Sequence, residues 1–163
     1  MRDVIRGPVS DPGRIRGVMH FAGFDHIDLR VASIDDERPL YDALLPALGL
    51  TEIVDSPGAR EYYERAEPGE ARRFFGLNAD ARHVGDATRI CFAAVSAADV
   101  DRLAGIARGA GARAMEGPEI PYSSEKYYAV FFEDGCGNKL EIAYRRPHHA
   151  QAAAAVDDIE NAE

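Results

Sequence analysis

Several ingredients are scarce in this chain of 163 residues, and each scarcity excludes something. There are two cysteines, Cys91 and Cys136, and neither sits in a CxxC pair. A disulfide framework is therefore not the expected source of stability, and both thiols are expected reduced. No apolar run approaches the ~18 residues that span a bilayer, and the N-terminal stretch lacks the apolar core of a secretion signal. A cytoplasmic protein without a membrane partner is expected. Positive charge is in deficit: 28 Asp and Glu against 19 Lys and Arg give a net charge of −9, and Lys126 and Lys139 are the only lysines. Nucleic acid is not an expected partner, because phosphate backbones select a concentrated basic footprint. With 46% hydrophobic and 29% charged residues, the chain has enough apolar material for one ordinary domain.

The ends read differently from the middle. Residues 1–22 are rich in Gly, Pro and Arg without any period, which predicts an extended or disordered leader. Residues 147–163 open on a proline and close on acids, which predicts a tail, with His148 and His149 as solvent-exposed tail residues. Residues 23–146 carry an internal repeat. "HIDLRVASIDDERPLYDALL" from His26 aligns with "RICFAAVSAADVDRLAGIA" from Arg89 at an offset of 63, placing Ile27 over Ile90, Leu29 over Phe92, Ser33 over Ser96, Asp36 over Asp99 and Leu40 over Leu103. Each copy alternates like a strand, then offers a Ser followed three residues later by Asp, a helix-capping signature.

The first helix has an apolar stripe at Leu40, Leu44, Ala47 and Leu48 and a terminating Gly49; Pro46 is expected to distort its end. The second has Val100, Leu103, Ala104 and Ala107, followed by Gly109 and Gly111. Three strand-like pieces follow each helix, the last two joined by the turn signal "DGCGN". Each half thus reads strand, helix, strand, strand, strand, with module one at about 23–80 and module two at about 86–146 of a single α+β domain.

A duplicated βαβββ unit closing in "FFEDGCGNKLEIAYR" resembles the vicinal oxygen chelate superfamily of glyoxalases, bleomycin-resistance proteins and extradiol dioxygenases. "FEDGCGNKLEI" is similar to that family's closing D-P-x-G-N-x-x-E hairpin, with Asp134-Gly135 in place of Asp-Pro. The resemblance implies a curved, cup-like mixed sheet with helices on its outer face, a small-molecule ligand or substrate, and a homodimer. It also implies a divalent metal (Fe, Mn, Ni or Zn) held by His26 and Glu141. The position where a dioxygenase-type member would have another histidine is Arg89, whose guanidinium cannot ligate a metal. A site without a metal therefore stays open, as does a non-catalytic protein that sequesters a drug-like compound.

Strand parity gives an independent reading. Period-2 alternation puts His26, Asp28 and Arg30 on one face of the first strand, Arg89 and Cys91 on the matching face of the fifth, and Lys139 and Glu141 on that of the eighth. The opposite faces are apolar and expected to receive the helices. So many ionisable groups on one face point to a polar site, with His26, Arg89 and Glu141 as catalytic candidates. Asp28, Cys91 and Lys139 are candidate substrate contacts beside them, with Tyr63, Phe75, Tyr122 and Tyr128 as aromatic walls. His83 lies on the connector between modules as a replacement ligand. The polar face has a bland alternative, closure by mutual pairing of Arg89 with Glu141 and of Arg30 with Asp28.

Overall fold

The computed structural model describes residues 23–70, 72–120 and 127–146. The expected leader, the expected tail and Tyr122 lie outside these residues. The described elements run β1 (His26–Val31), α1 (Ile34–Ala47), β2 (Glu52–Ser56), β3 (Ala59–Tyr63), β4 (Phe74–Ala79), β5 (Arg89–Ala93), α2 (Ala97–Gly109), β6 (Arg113–Glu119), β7 (Tyr127–Glu133) and β8 (Lys139–Arg145). They form two four-stranded sheets, ordered β1-β4-β3-β2 and β5-β8-β7-β6. In each sheet the first strand pairs parallel to the last and the other pairings are antiparallel. The repeat is therefore a structural repeat, and the fold is the α+β arrangement of two βαβββ modules that builds a cup-like protein.

Both helices begin where the Ser signals put them. Ser33 Oγ accepts from the Asp36 N–H at 3.3 Å and Ser96 Oγ from the Asp99 N–H at 3.1 Å. Each cap satisfies a donor that a helix start leaves free and contributes about 1 kcal/mol. Gly49 at φ 100° and Gly111 at φ 97° follow the caps Leu48 and Ala110, in a backbone region that favours glycine. Pro46 does not cut α1 short: the helix runs through both Pro39 and Pro46 to Ala47, and the Leu48 N–H closes the last turn on Leu44 and Leu45. The backbone bonds lost at the two prolines are outweighed by burial of Leu40, Tyr41, Leu44 and Leu45.

The apolar parities meet in one core that draws on both modules. Val31, Leu77 and Phe75 lie with Leu40, Tyr41, Leu44 and Leu45 of α1, and the same cluster continues through Val100 and Leu103 of α2 to Val130, Leu140 and Ile142. Phe75 meets Phe92 across the modules with ring centres 5.6 Å apart. A Leu44→Ala change in such a core typically costs about 2–5 kcal/mol.

The β7–β8 turn is the joint between the modules. Fully buried Asp134 accepts from Tyr41 Oη (2.8 Å), the Cys136 N–H (2.9 Å), the Asn138 N–H (2.8 Å) and Asn138 Nδ2 (2.7 Å). Glu37 of α1 accepts from the Gly135 N–H at 2.8 Å, and Asn138 Nδ2 also donates to the Arg30 carbonyl at 3.1 Å. The connector is pinned on the same turn, because the Gly85 N–H bonds the Cys136 carbonyl and a Cβ at Gly85 would stand 2.1 Å from the Gly137 oxygen. His83 hydrogen-bonds Asn138 Oδ1 through Nε2 at 2.7 Å. The imidazole thus belongs to this joint and does not reach the strand faces as a replacement ligand.

Candidate functional site: the polar faces of the two sheets

Register gives each polar face its members. On the first sheet His26 lies beside Phe74 and Tyr63, and Asp28 beside Gly76 and Glu61. The His26 ring stacks on Phe74 with centres 4.6 Å apart and planes 2° from parallel. Its Nδ1 is 2.8 Å from Asp25 Oδ2 and its Nε2 3.9 Å from Asp28 Oδ2. The bond to Asp25, with Asp28 and Glu61 nearby, raises the His26 pKa above the ordinary value. Asp28 accepts from Asn78 Nδ2 at 3.0 Å, not from Arg30, and Gly76 makes room for it: a Cβ there would lie 2.8 Å from Asp28 Oδ1. Tyr63 bonds Glu61 at 2.7 Å.

On the second sheet Arg89 lies beside Lys139, Cys91 beside Glu141, and Glu141 in turn beside Phe131. Glu141 is 5% exposed, an unusual burial for a carboxylate on a face that the helices do not cover. Its Oε1 is buried without a hydrogen-bond partner. Its Oε2 stands 3.9 Å from Arg89 Nη1, and the Arg89 guanidinium lies over the Phe131 ring, 4.7 Å from its centre. This is a loose, single approach rather than the bidentate pair that would close the face. Burial, reinforced by the Glu141 charge, pushes the Cys91 thiol up to about 12. A thiol so protonated is a poor nucleophile. At the end of the face, Arg89, Lys139, Glu116, Glu133, Phe131 and Ala114 help line an open pocket with about 130 Å³ of room.

The expected site residues are thus distributed. His26, Asp28 and Tyr63 share the first polar face, and Arg89, Cys91, Lys139 and Glu141 the second. The side-chain contacts of His26 stay within the first module and those of Glu141 within the second. Phe75 and Tyr128 are corrections. Phe75 is 2% exposed, in the core against Tyr41 and Phe92, and Tyr128 turns to the helix side, where its hydroxyl bonds Asp101 of α2 at 2.8 Å. Tyr62 also points to that side and bonds Asp42. Phe131, Glu116 and Glu133 were missed, and of the paired aromatics Phe74 and Phe75 it is Phe74 that faces the polar side. Alternation in "RFFGLN" and "YYAVFFE" carries the signal, since Phe74 is in phase with Asn78 and Phe131 with Glu133.

Among the described residues, the polar faces of one chain do not gather the donors that a divalent metal needs. Glu141 offers an unused oxygen, but its neighbours are a guanidinium and a protonated thiol, and three protein ligands are the usual minimum. Among the described residues, Glu37, Asp134 and Cys136 do bring three donor atoms within 4.8 Å of one another. The hydrogen bonds of the joint already engage both oxygens of Asp134, Glu37 Oε2, and Cys136 Sγ, which lies 3.1 Å from the Ala32 N–H.

No family model matches the chain, and no curated protein does. Solved structures do. A glyoxalase/bleomycin resistance protein from Albidiferax ferrireducens is 26% identical, with a TM-score of 0.59 over 76% of this chain and 98% of that one. A glyoxalase/bleomycin resistance protein/dioxygenase family enzyme from Burkholderia phytofirmans is 17% identical, with a TM-score of 0.55 over 75% of this chain and 98% of the other. A variant of the fosfomycin resistance protein FosX from Listeria monocytogenes, complexed with Mn(II) and a dihydroxypropylphosphonic acid, is 18% identical. It matches with a TM-score of 0.53 over 76% of this chain and 90% of that one. Among the described residues, no helix is long and apolar enough to cross a membrane.

Proposed function

We propose, from the fold it shares with glyoxalase/bleomycin resistance proteins, that this chain is a member of the vicinal oxygen chelate superfamily and a glyoxalase- or dioxygenase-like enzyme acting on a small oxygenated metabolite. The observation that carries this reading is the buried, unpartnered Oε1 of Glu141 beside a loosely held Arg89. An orphaned buried carboxylate oxygen costs stability in the free protein, and a ligand that donates to it recovers that cost.

In the proposed reaction Arg89 receives a carbonyl or carboxylate oxygen of the substrate. Glu141 takes a proton from the adjacent carbon; the C–H electron pair becomes a C=C bond, and the carbonyl pair moves to oxygen, giving an enolate opposite Arg89. Return of the proton completes an isomerisation or exchange. Fixed positive charge aimed at a developing oxyanion and a carboxylate base poised at the C–H are the two ingredients such chemistry needs. Phe131 keeps the guanidinium in place, and Cys91 and Lys139 flank the substrate.

His26, Asp28 and Tyr63 are proposed to complete the site across a homodimer. Such an arrangement would bring the carboxylates of the first face, Asp28 and Glu61, towards Arg89 and Lys139 of the second.

Proton exchange tests the reading. In D2O, wild-type protein should catalyse deuterium uptake next to the carbonyl of small probes such as pyruvate and hydroxyacetone, followed by NMR. Glu141→Gln should lower the rate by at least ~100-fold. Probes that raise the melting temperature yet return without deuterium would favour the sequestering alternative instead.

A further inference from the structure

The pocket at the β5–β8 end of the second sheet has a charge pattern that the proposed proton transfer uses only in part, leaving Glu116 and Glu133 without a role. Arg89 and Lys139 are cross-strand neighbours, Glu133 lies beside Lys139, and Glu116 lies beside Phe131, so all four charges arise on the polar face. All four line the same 130 Å³ space. Among the described residues, Lys139, Glu116 and Glu133 make no ion pair at 4.0 Å or closer, and Arg89 approaches only Glu141, at 3.9 Å.

Two features hold these charges apart. The Arg89 guanidinium is seated on the Phe131 ring, 4.7 Å from its centre, and so is not free to fold onto Glu116 or Glu133. Strand β6 is irregular here: its pairing with β7 shifts register between Arg113 and Glu116, and Ala114 adopts φ 48°, a conformation uncommon for any residue but glycine. A bulged edge strand beside a pocket re-aims its side chains, and a strained residue there points to function.

From this we propose that the pocket is a binding subsite for a small zwitterion, an amino carboxylate whose carboxylate lies on Arg89 and Lys139 and whose ammonium lies between Glu116 and Glu133. A simple anion would satisfy the cations but face two carboxylates, and a simple cation would meet the reverse; only a molecule carrying both charges complements the whole lining. The room is well below the ~300 Å³ at which drug-sized ligands are engulfed, which limits the ligand to amino-acid size. The subsite shares Arg89 with the proposed reaction but does not depend on the chemistry of Glu141.

Calorimetric titration of the full chain with β-alanine, acetate and methylammonium at neutral pH tests this. β-Alanine should bind at least ~10-fold more tightly than either single-charge probe, and Lys139→Ala and Glu133→Gln should each weaken it by ~10-fold or more. Equal binding of acetate and β-alanine, no binding of β-alanine, or binding unchanged by both substitutions would overturn the proposal. Deuterium exchange on the same preparation separates the two readings. Exchange without β-alanine binding removes only the zwitterion subsite, and β-alanine binding without exchange removes only the proposed reaction.

Discussion

Arg89 Nη1 stands 3.9 Å from Glu141 Oε2, near enough to attract and too far to hydrogen-bond. The pair leaves the face open: Arg89 retains 45% of its side-chain exposure while Glu141 is nearly buried. At such a distance and exposure the attraction is worth about 1 kcal/mol or less. Arg89→Met should therefore lower stability only slightly, while removing the proposed oxyanion partner. Comparing urea unfolding with proton exchange in that variant checks the split.

The joint at the β7–β8 turn should behave oppositely. Asp134→Ala removes four hydrogen bonds around a fully buried carboxylate and strands Tyr41 Oη. The expected loss is roughly 3–5 kcal/mol, the scale for breaking a buried charged network, read from the urea midpoint. A chelator is expected to leave the melting temperature of the wild type unchanged, because hydrogen bonds already engage the donor atoms of this cluster.

Cys91 should be slow towards alkylating reagents although the residue is open to solvent. With the thiol pushed up to about 12, the thiolate is scarce at pH 8, and labelling should accelerate only as pH approaches that value. Glu141→Gln removes the neighbouring negative charge and should shift the labelling profile to lower pH, measurable by mass spectrometry of the Cys91 peptide.

His26 supplies a pH dependence of known sign. Its pKa is raised in the folded state, chiefly by Asp25, so folding favours the imidazolium. The associated stabilisation is complete below the ordinary value of 6.5 and is lost as pH rises through the raised folded value. Asp25→Asn should move the His26 titration downward in an NMR pH series.

Much of this architecture was written locally and so could be read from sequence. The 63-residue repeat, the two Ser caps and the glycines after each helix are short-range signals, and period-2 alternation placed His26, Arg89 and Glu141 on polar faces. Phe75 and Tyr128 went astray because aromatic character was weighed there without parity; Phe74 and Phe131, in the opposite phase of the same strands, face the polar side. The joint was not legible at all. Glu37 and Gly135 lie 98 residues apart, as do Tyr41 and Asp134 at 93, and no local pattern encodes such a meeting. The orphaned Oε1 of Glu141 likewise depends on what the fold fails to bring to it.

Glu141 is thus expected to serve ligand recognition at the expense of stability, and thermal unfolding of Glu141→Leu, with and without pyruvate, measures both sides of that exchange. Replacing a poorly paired buried carboxylate by an apolar side chain of similar size should raise the melting temperature by a few degrees, on the order of 1 kcal/mol, and abolish the upward shift that pyruvate gives the wild type. A variant that melts lower than wild type while keeping its response to pyruvate would contradict the account, because Glu141 would then be a structural residue.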